Sequence, residues 1–439
     1  MSSSNTQQQP PLTLNQAQLD SLQQFSLLDA LFGRRSRRFG VGMEIPDGPL
    51  AYQSQQPAQA LSRLERLLLV TIGAGISGWH FGIPYTESAT PGLGCNYPVR
   101  PAGRTYPSGA GVYGSELLIT DDSGTYITRF RDLDPAHILE LQSAEDLPRL
   151  LSWLEQHIIR LSDKRLDLPA SYPHIVGHNR WVANRPGTTL FIPVIDQADS
   201  LLNQLAMRAG EGIPAADPVT GRLLGNPTSL LRKGILHADR ALALDELEQH
   251  SRNSTVAEAS IASYNIHLAL QALGLGGWLF SGLNIHSLLG GKAKEGIQGF
   301  GFRFTHQPHF RQPNPVGLDG VFEPLVPPYV SSMHEAVQRF AERKFGARGN
   351  FSADRPGPFK DNAAVKTATE RWSQEMTEYI ASVAQDIYDS YGKFPGTIPT
   401  VCIATYTQAH HIDHGFYDKF FGEDAYLSTH RDHQRIWHE

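Results

Sequence analysis

The stretch STVAEASIASYNIHLALQALGLGGWLF, from Ser254 to Phe280, constrains the fold more than any other part of the chain. Its helix is expected over Val256 to Leu273, with Ala259, Ala262, Ile266, Ala269 and Leu273 on one packing face. Gly274 and Gly276 supply the stop signal. A helix so poor in charge cannot keep a solvated face, so it belongs at the centre of a domain. Its small residues at successive turns permit close approach of a partner element or a planar ligand.

The remaining elements group around that helix. LLLVTIGAGISGW, Leu67 to Trp79, is too short and glycine-rich to span a membrane and reads as a buried helix with a loosened end. ELLITDD and GTYITRF form a hairpin turning at Asp122, Ser123 and Gly124, and TTLFIPVID is a core strand. HILELQSAEDLPRLLSWLEQHIIRLSDKR reads as a helix or helix pair, and 209–227 as a surface loop or lid. Amphipathic helices follow around Met333 to Phe340 and Met376 to Ile387. Strands and helices in this order give an α+β class with a central, mainly antiparallel sheet surrounded by helices.

Charge excludes some functions. With 38 basic against 44 acidic side chains and a net charge of −6, no overall positive field favours nucleic acid or an anionic membrane. Cys95 and Cys402 cannot build a disulfide framework and neither sits in a CxxC. A reducing, cytoplasmic setting is therefore expected. MSSSNTQQQPPLTLNQAQ lacks the basic and apolar blocks of a secretory leader, so 1–19 is expected to be a flexible arm.

Three separated segments carry candidate chemistry. LDSLQQFSLLDALFG reads as a first helix running into Arg34, Arg35, Ser36, Arg37 and Arg38, where guanidinium forks can solvate a surface or cradle an anion. Tyr106 to Thr120, YPSGAGVYGSELLIT, is a shaped Pro/Gly loop leading into a strand. The last portion holds His410, His411, His414, His430, His433 and His438, with Tyr417 among them. If QAHHIDHGFYDKFF were helical, His410, His414 and Asp418 would share a face and offer metal-type ligands. The spacing is not HExxH, so no metal is assigned; proton-donor or structural histidines are the readings preferred.

Taken in order, RRSRRF at Arg34 to Phe39, the YPSGAGVYGSELLIT loop, and IASYNIHLALQALGLGG at Ile261 to Gly277 resemble the nitroreductase superfamily of FMN-dependent oxidoreductases, close to the branch with azoline-forming peptide dehydrogenases. The resemblance implies a nitroreductase-like flavin domain over 20–328, with 329–439 as a C-terminal extension that covers the active site. It places Arg34, Arg35, Ser36 and Arg38 at the FMN phosphate and ring polar atoms. Pro107, Ser108 and Gly109 would lie along the isoalloxazine, with Gly274, Leu275 and Gly276 on its other side. His410, His411, His414 and Tyr417 become the candidate catalytic groups of a hydride transfer to or from a small organic substrate. NAD(P)H is the implied electron donor and a homodimer the implied assembly. The alternatives are a flavin-fold descendant that senses or binds a ligand, and a metal-assisted enzyme using the C-terminal histidines.

Overall fold

The computed structural model describes residues 12–85, 96–308 and 310–439. Cys95 and residues 1–11 of the expected arm lie outside them. The chain is mixed α and β: a central seven-stranded antiparallel sheet is flanked by helices, and a helical extension follows. The strands are β1 (Ser115–Asp121), β2 (Gly124–Thr128), β3 (Ile158–Ser162), β4 (Thr189–Asp196), β5 (Gly276–Phe280), β6 (Val401–Cys402) and β7 (Tyr406–His410). Their spatial order is β5-β7-β4-β1-β2-β3, and β6 pairs with the end of β4.

The helices that position the sites are α1 (Gln16–Gln24), α2 (Leu27–Phe32), α3 (Arg63–Ala74), α4 (Leu147–Glu155), α5 (Gln197–Gly210), α6 (Leu244–Leu273), α7 (Met333–Phe345), α8 (Gln374–Tyr391), α9 (His414–Phe420) and α10 (Ser428–Trp437). No helix among the described residues is long and apolar enough to cross a membrane.

Alternation along β4 explains the layers. Leu190, Ile192 and Val194 face one core with Leu118, Trp278 and Phe322, while Phe191 faces the other with Leu68, Ile119 and Ile266. Both faces are covered, so β4 reads as an uninterrupted apolar run. A third core joins α5, α7 and α8 through Leu201, Leu205, Val337, Phe340 and Ile380.

Five local readings change. The first helix divides into α1 and α2, because Phe25 is extended and Ser26 caps a new start by accepting from Asp29 N. α1 itself begins inside the expected arm, where Asn15 and Gln18 form a capping box. IIRLS is the strand β3 instead of helix. The central helix begins at Leu244, twelve residues before the Val256 start that was expected, because its polar first half is held by tertiary contacts: Glu248 accepts from the backbone N–H groups of Gly396 and Thr397, each at 2.6 Å. Residues 401–410 supply β6 and β7, and β7 is an inner strand between β5 and β4, so this part of the extension belongs to the sheet core.

Candidate metal centre

α3 begins with Ser62 as N-cap and Glu65 at the third position, a reciprocal capping box in which Glu65 Oε2 accepts from Ser62 N at 2.6 Å. The carboxylate is fully buried among three histidines from the far end of the chain: Oε1 faces His433 and His438, and Oε2 lies 3.7 Å from His411 Nε2. β7 delivers His411, which follows its last residue, and α10 delivers His433 and His438. Glu65, His411, His433 and His438 each offer one ligand atom, and those atoms lie within 4.8 Å of one another.

The distances suit one ion. His433 Nε2 lies 3.1 Å from Glu65 Oε1, 3.2 Å from His411 Nδ1 and 3.3 Å from His438 Nε2. His438 Nε2 is 3.3 Å from Glu65 Oε1. A tetrahedral ion with metal–nitrogen bonds of about 2.0–2.1 Å separates its ligand atoms by roughly 3.3 Å. Four of the six edges of such a tetrahedron are therefore present.

Proton bookkeeping points the same way. His433 Nδ1 lies 2.6 Å from the carbonyl oxygen of Leu273, which can only accept, so Nδ1 carries the proton. In the neutral ring Nε2 is then a lone pair, facing a carboxylate oxygen at 3.1 Å. Two acceptors at that distance repel unless a proton or cation lies between them. His411 faces His433 through Nδ1 at 3.2 Å, and its Nε2 lies 3.7 Å from Glu65 Oε2. A ring held through its other nitrogen by a backbone carbonyl is the usual support for a metal ligand.

Electrostatics agree with a site built for positive charge. Burial alone would raise the Glu65 pKa, but hydrogen bonds with His433 and His438 and the proximity of His411 hold it well below the usual carboxylate range. Burial pushes His411 down to about 4, leaving it neutral and able to donate a lone pair. The hydrogen bond to Glu65 raises His438. The imidazole–carboxylate set suits zinc and neighbouring divalent ions. Four protein ligands make a closed centre, and His438, with 17% of its side chain exposed, is the ligand nearest solvent.

The sequence candidates separate into several places. His410 and His414 do not share a helix face, because His410 ends β7 and His414 begins α9. The His410 ring is wedged between two glycines: a Cβ at Gly40 would come within 2.4 Å of it and one at Gly276 within 2.8 Å. Burial lowers His410 to about 3. His414 stacks on Tyr426 at 4.9 Å, and Asp418 accepts a hydrogen bond from the Tyr426 hydroxyl. Of the four named candidates only His411 is in the metal centre. Tyr417 instead accepts from Phe39 N at 3.1 Å and lines a cavity of about 550 Å³.

That cavity also receives Arg35, Ser36 and Arg38, together with Phe39 and Trp181. Arg34 is not among its lining residues. Arg37 is the buried member of the run: it donates to Gln271 Oε1 at 2.6 Å and to the Ala425 carbonyl at 2.8 Å. The Gly274-Leu275-Gly276 turn sits beside it, since Gly277 N donates to Arg37 O at 2.7 Å. Gly274 has φ of 73°, and a Cβ there would stand 2.2 Å from Thr429 O, so α10 packs directly on the turn. The Pro107-Ser108-Gly109 loop lies elsewhere. Ser108 donates to Glu258 Oε1 at 2.5 Å, and Gly109 abuts Ser254. Glu258 and Gly274 are separated by sixteen residues of α6, roughly 24 Å along its axis. Within one chain, the arginine run and the glycine turn meet, and the Pro-Ser-Gly loop does not join them.

Glu65 and the pairing of His433 with His438 escaped the sequence reading. RLERLLL reads as an ordinary capped helix start, and Glu65 lies 373 positions from His438. The one local signal was HRDHQRIWH, three histidines within the last ten residues of the chain.

No family model matches the chain, and no curated protein matches it. Among solved structures, a protein from Ralstonia eutropha JMP134 named as a candidate nitroreductase matches at 16% identity, covering 60% of this chain and 72% of that one, with a TM-score of 0.26. A likeness at that score carries no argument, and no family is assigned from it.

Proposed function

We propose that this chain is a metal-binding protein whose Glu65, His411, His433 and His438 hold a divalent ion of the zinc class. The observation that carries this reading is the set of four contacts of 3.1–3.3 Å among the prospective ligand atoms, with His433 fixed through Leu273. The ion would pin α10 to the start of α3 and the end of α6. The 423–426 turn precedes α10, and Ala425 is tied to Arg37, so the centre also sets one wall of the 550 Å³ cavity. A small organic ligand in that cavity is the substrate or effector class. Displacement of His438 by water would give the ion an open position and metal-assisted chemistry. Elemental analysis of protein purified without chelators tests the proposal: one bound divalent ion per chain is expected, and metal-free protein that takes up none on titration would overturn it.

A second reading keeps FMN, with NAD(P)H as donor, in the same cavity. It is favoured by the joint placement of Arg35, Ser36, Arg38 and Tyr417 around one aromatic-walled space. Flavin would supply the redox chemistry, and these residues would bind its phosphate and orient its ring. Visible absorbance of the purified protein, and flavin released on denaturation, test this reading independently of the metal. A covering role fits 411–439 better than the whole extension, because 401–410 lie in the sheet. For assembly, we propose a homodimer that covers α2, where Leu27, Leu28 and Phe32 are 69%, 66% and 74% exposed; light scattering across a concentration series tests it.

A further inference from the structure

The end of β4 remote from His411 carries a second concentration of charge. Arg100, Arg131, Arg343, Arg348 and Arg355 converge on a recess of about 310 Å³ that also receives Asp132 and Asp134. Beneath it Asp196 caps α5, accepting from Ala198 N and Asp199 N, and Asp199 occupies the first turn.

The two inner arginines are committed to the fold. Arg100 donates to the carbonyls of Arg131 and Val112 and to Asp199 at 2.7 Å. Arg131 donates to Asp196 at 2.8 Å and lies over the Phe322 ring at 4.2 Å. A buried network supporting the start of α5 accounts for both.

It does not account for the outer three. Arg343 gives one nitrogen to Asp199 at 2.7 Å, and its other two nitrogens have no hydrogen-bond partner among the described residues. Arg355 pairs with Asp134, yet its Nε is buried without an acceptor. Arg348 is exposed at the rim, with no hydrogen bond or ion pair among the described residues. An unanswered buried N–H costs about 1–3 kcal/mol, so Arg355 Nε calls for an acceptor, and the more exposed spare donors of Arg343 and Arg348 line the same recess. Asp196, Asp199 and Glu116 are buried in the network beneath, so Asp132 and Asp134 are the carboxylates that share the recess itself with the five guanidinium groups.

We propose that this recess binds a small organic oxyanion, a carboxylate or a phosphate monoester, with Arg343, Arg348 and Arg355 as direct donors above the fixed floor of Arg100 and Arg131. Guanidinium forks match both head groups in a bidentate manner. The site is independent of the metal centre, so either assignment can fail alone.

Calorimetric titration of the full chain with inorganic phosphate, and separately with succinate, in low-salt buffer tests it. Saturable binding of at least one probe at one site per chain is expected, weakened tenfold or more by Arg348→Glu and unchanged by Arg435→Glu on α10. Phosphate binding without succinate binding assigns a phosphate head, and the converse assigns a carboxylate. Arg348→Ala reports the same contact should the charge reversal not fold. Absence of saturable binding by either probe, or equal binding in the Arg348 variants, overturns the proposal.

Discussion

His433 stands with Nε2 3.1 Å from Glu65 Oε1 while its Nδ1 proton is held by the Leu273 carbonyl at 2.6 Å. The other ring nitrogen is thereby aimed at a carboxylate in a buried place, with His411 and His438 completing the group. The metal proposal follows from that relationship. Replacing His433 or Glu65 by Gln removes a ligand, so zinc affinity measured by competition with a chromophoric chelator is expected to fall by more than the roughly 10–100-fold typical of a lost outer-shell partner. His414→Ala is expected to leave it unchanged, because that ring stacks on Tyr426 outside the centre.

Removing the ion should loosen one part of the molecule selectively. Binding that favours the folded state contributes about 4 kcal/mol at a free ligand concentration a thousand times Kd. Hydrogen exchange with and without a strong chelator is expected to show lost protection in α10 and at the start of α3, with β1 and β4 unchanged. Uniform loss, or none, would argue against a local clamp.

Glu258 gives a pH dependence outside the metal centre. Burial pushes its carboxyl up to about 7, against which the Ser108 hydrogen bond acts only in part. A pKa raised on folding contributes stability that is complete below the unfolded value near 4.5 and is lost as pH rises through about 7. The shift corresponds to ~3 kcal/mol between those limits. Glu258→Gln should therefore flatten the denaturation midpoint between pH 5 and 8 and stabilise the protein at pH 8, measured by urea titration.

The arginine run separates into structural and surface members. Arg37→Met leaves the buried Gln271 Oε1 without its 2.6 Å donor and is expected to cost ~1–3 kcal/mol. Arg35 makes exposed hydrogen bonds to the carbonyls of Phe32 and Arg34, so Arg34→Ala with Arg35→Ala should change stability by only about 0.5 kcal/mol. If FMN occupies the cavity, that double variant should still lose flavin retention, read as absorbance after gel filtration.

Much of the architecture could be read from local pattern, because the segments concerned have strong periodicity or turn chemistry. The Asp122-Ser123-Gly124 turn, β4 and the second half of α6 follow directly from it. β7 was hidden because TQAH reads as polar. Its polar groups are buried with partners, Thr407 donating to the Ser263 carbonyl and Gln408 to that of Val182, so tertiary contacts override the pattern. The same misreading put His410 and His414 on one helix. The metal centre was illegible for a different reason: its four ligands come from α3, the residue after β7, the middle of α10 and the residue that caps its end, and only the folded sheet brings them together.

Cobalt(II) titration followed by visible absorption tests the central claim most directly, because the spectrum reports coordination number as well as stoichiometry. The account predicts intense four-coordinate bands that saturate at one ion per chain, disappear on adding zinc, and fail to develop in Glu65→Gln and His433→Gln. Weak six-coordinate bands, no saturation near one equivalent, or an unchanged spectrum in those two variants would contradict it.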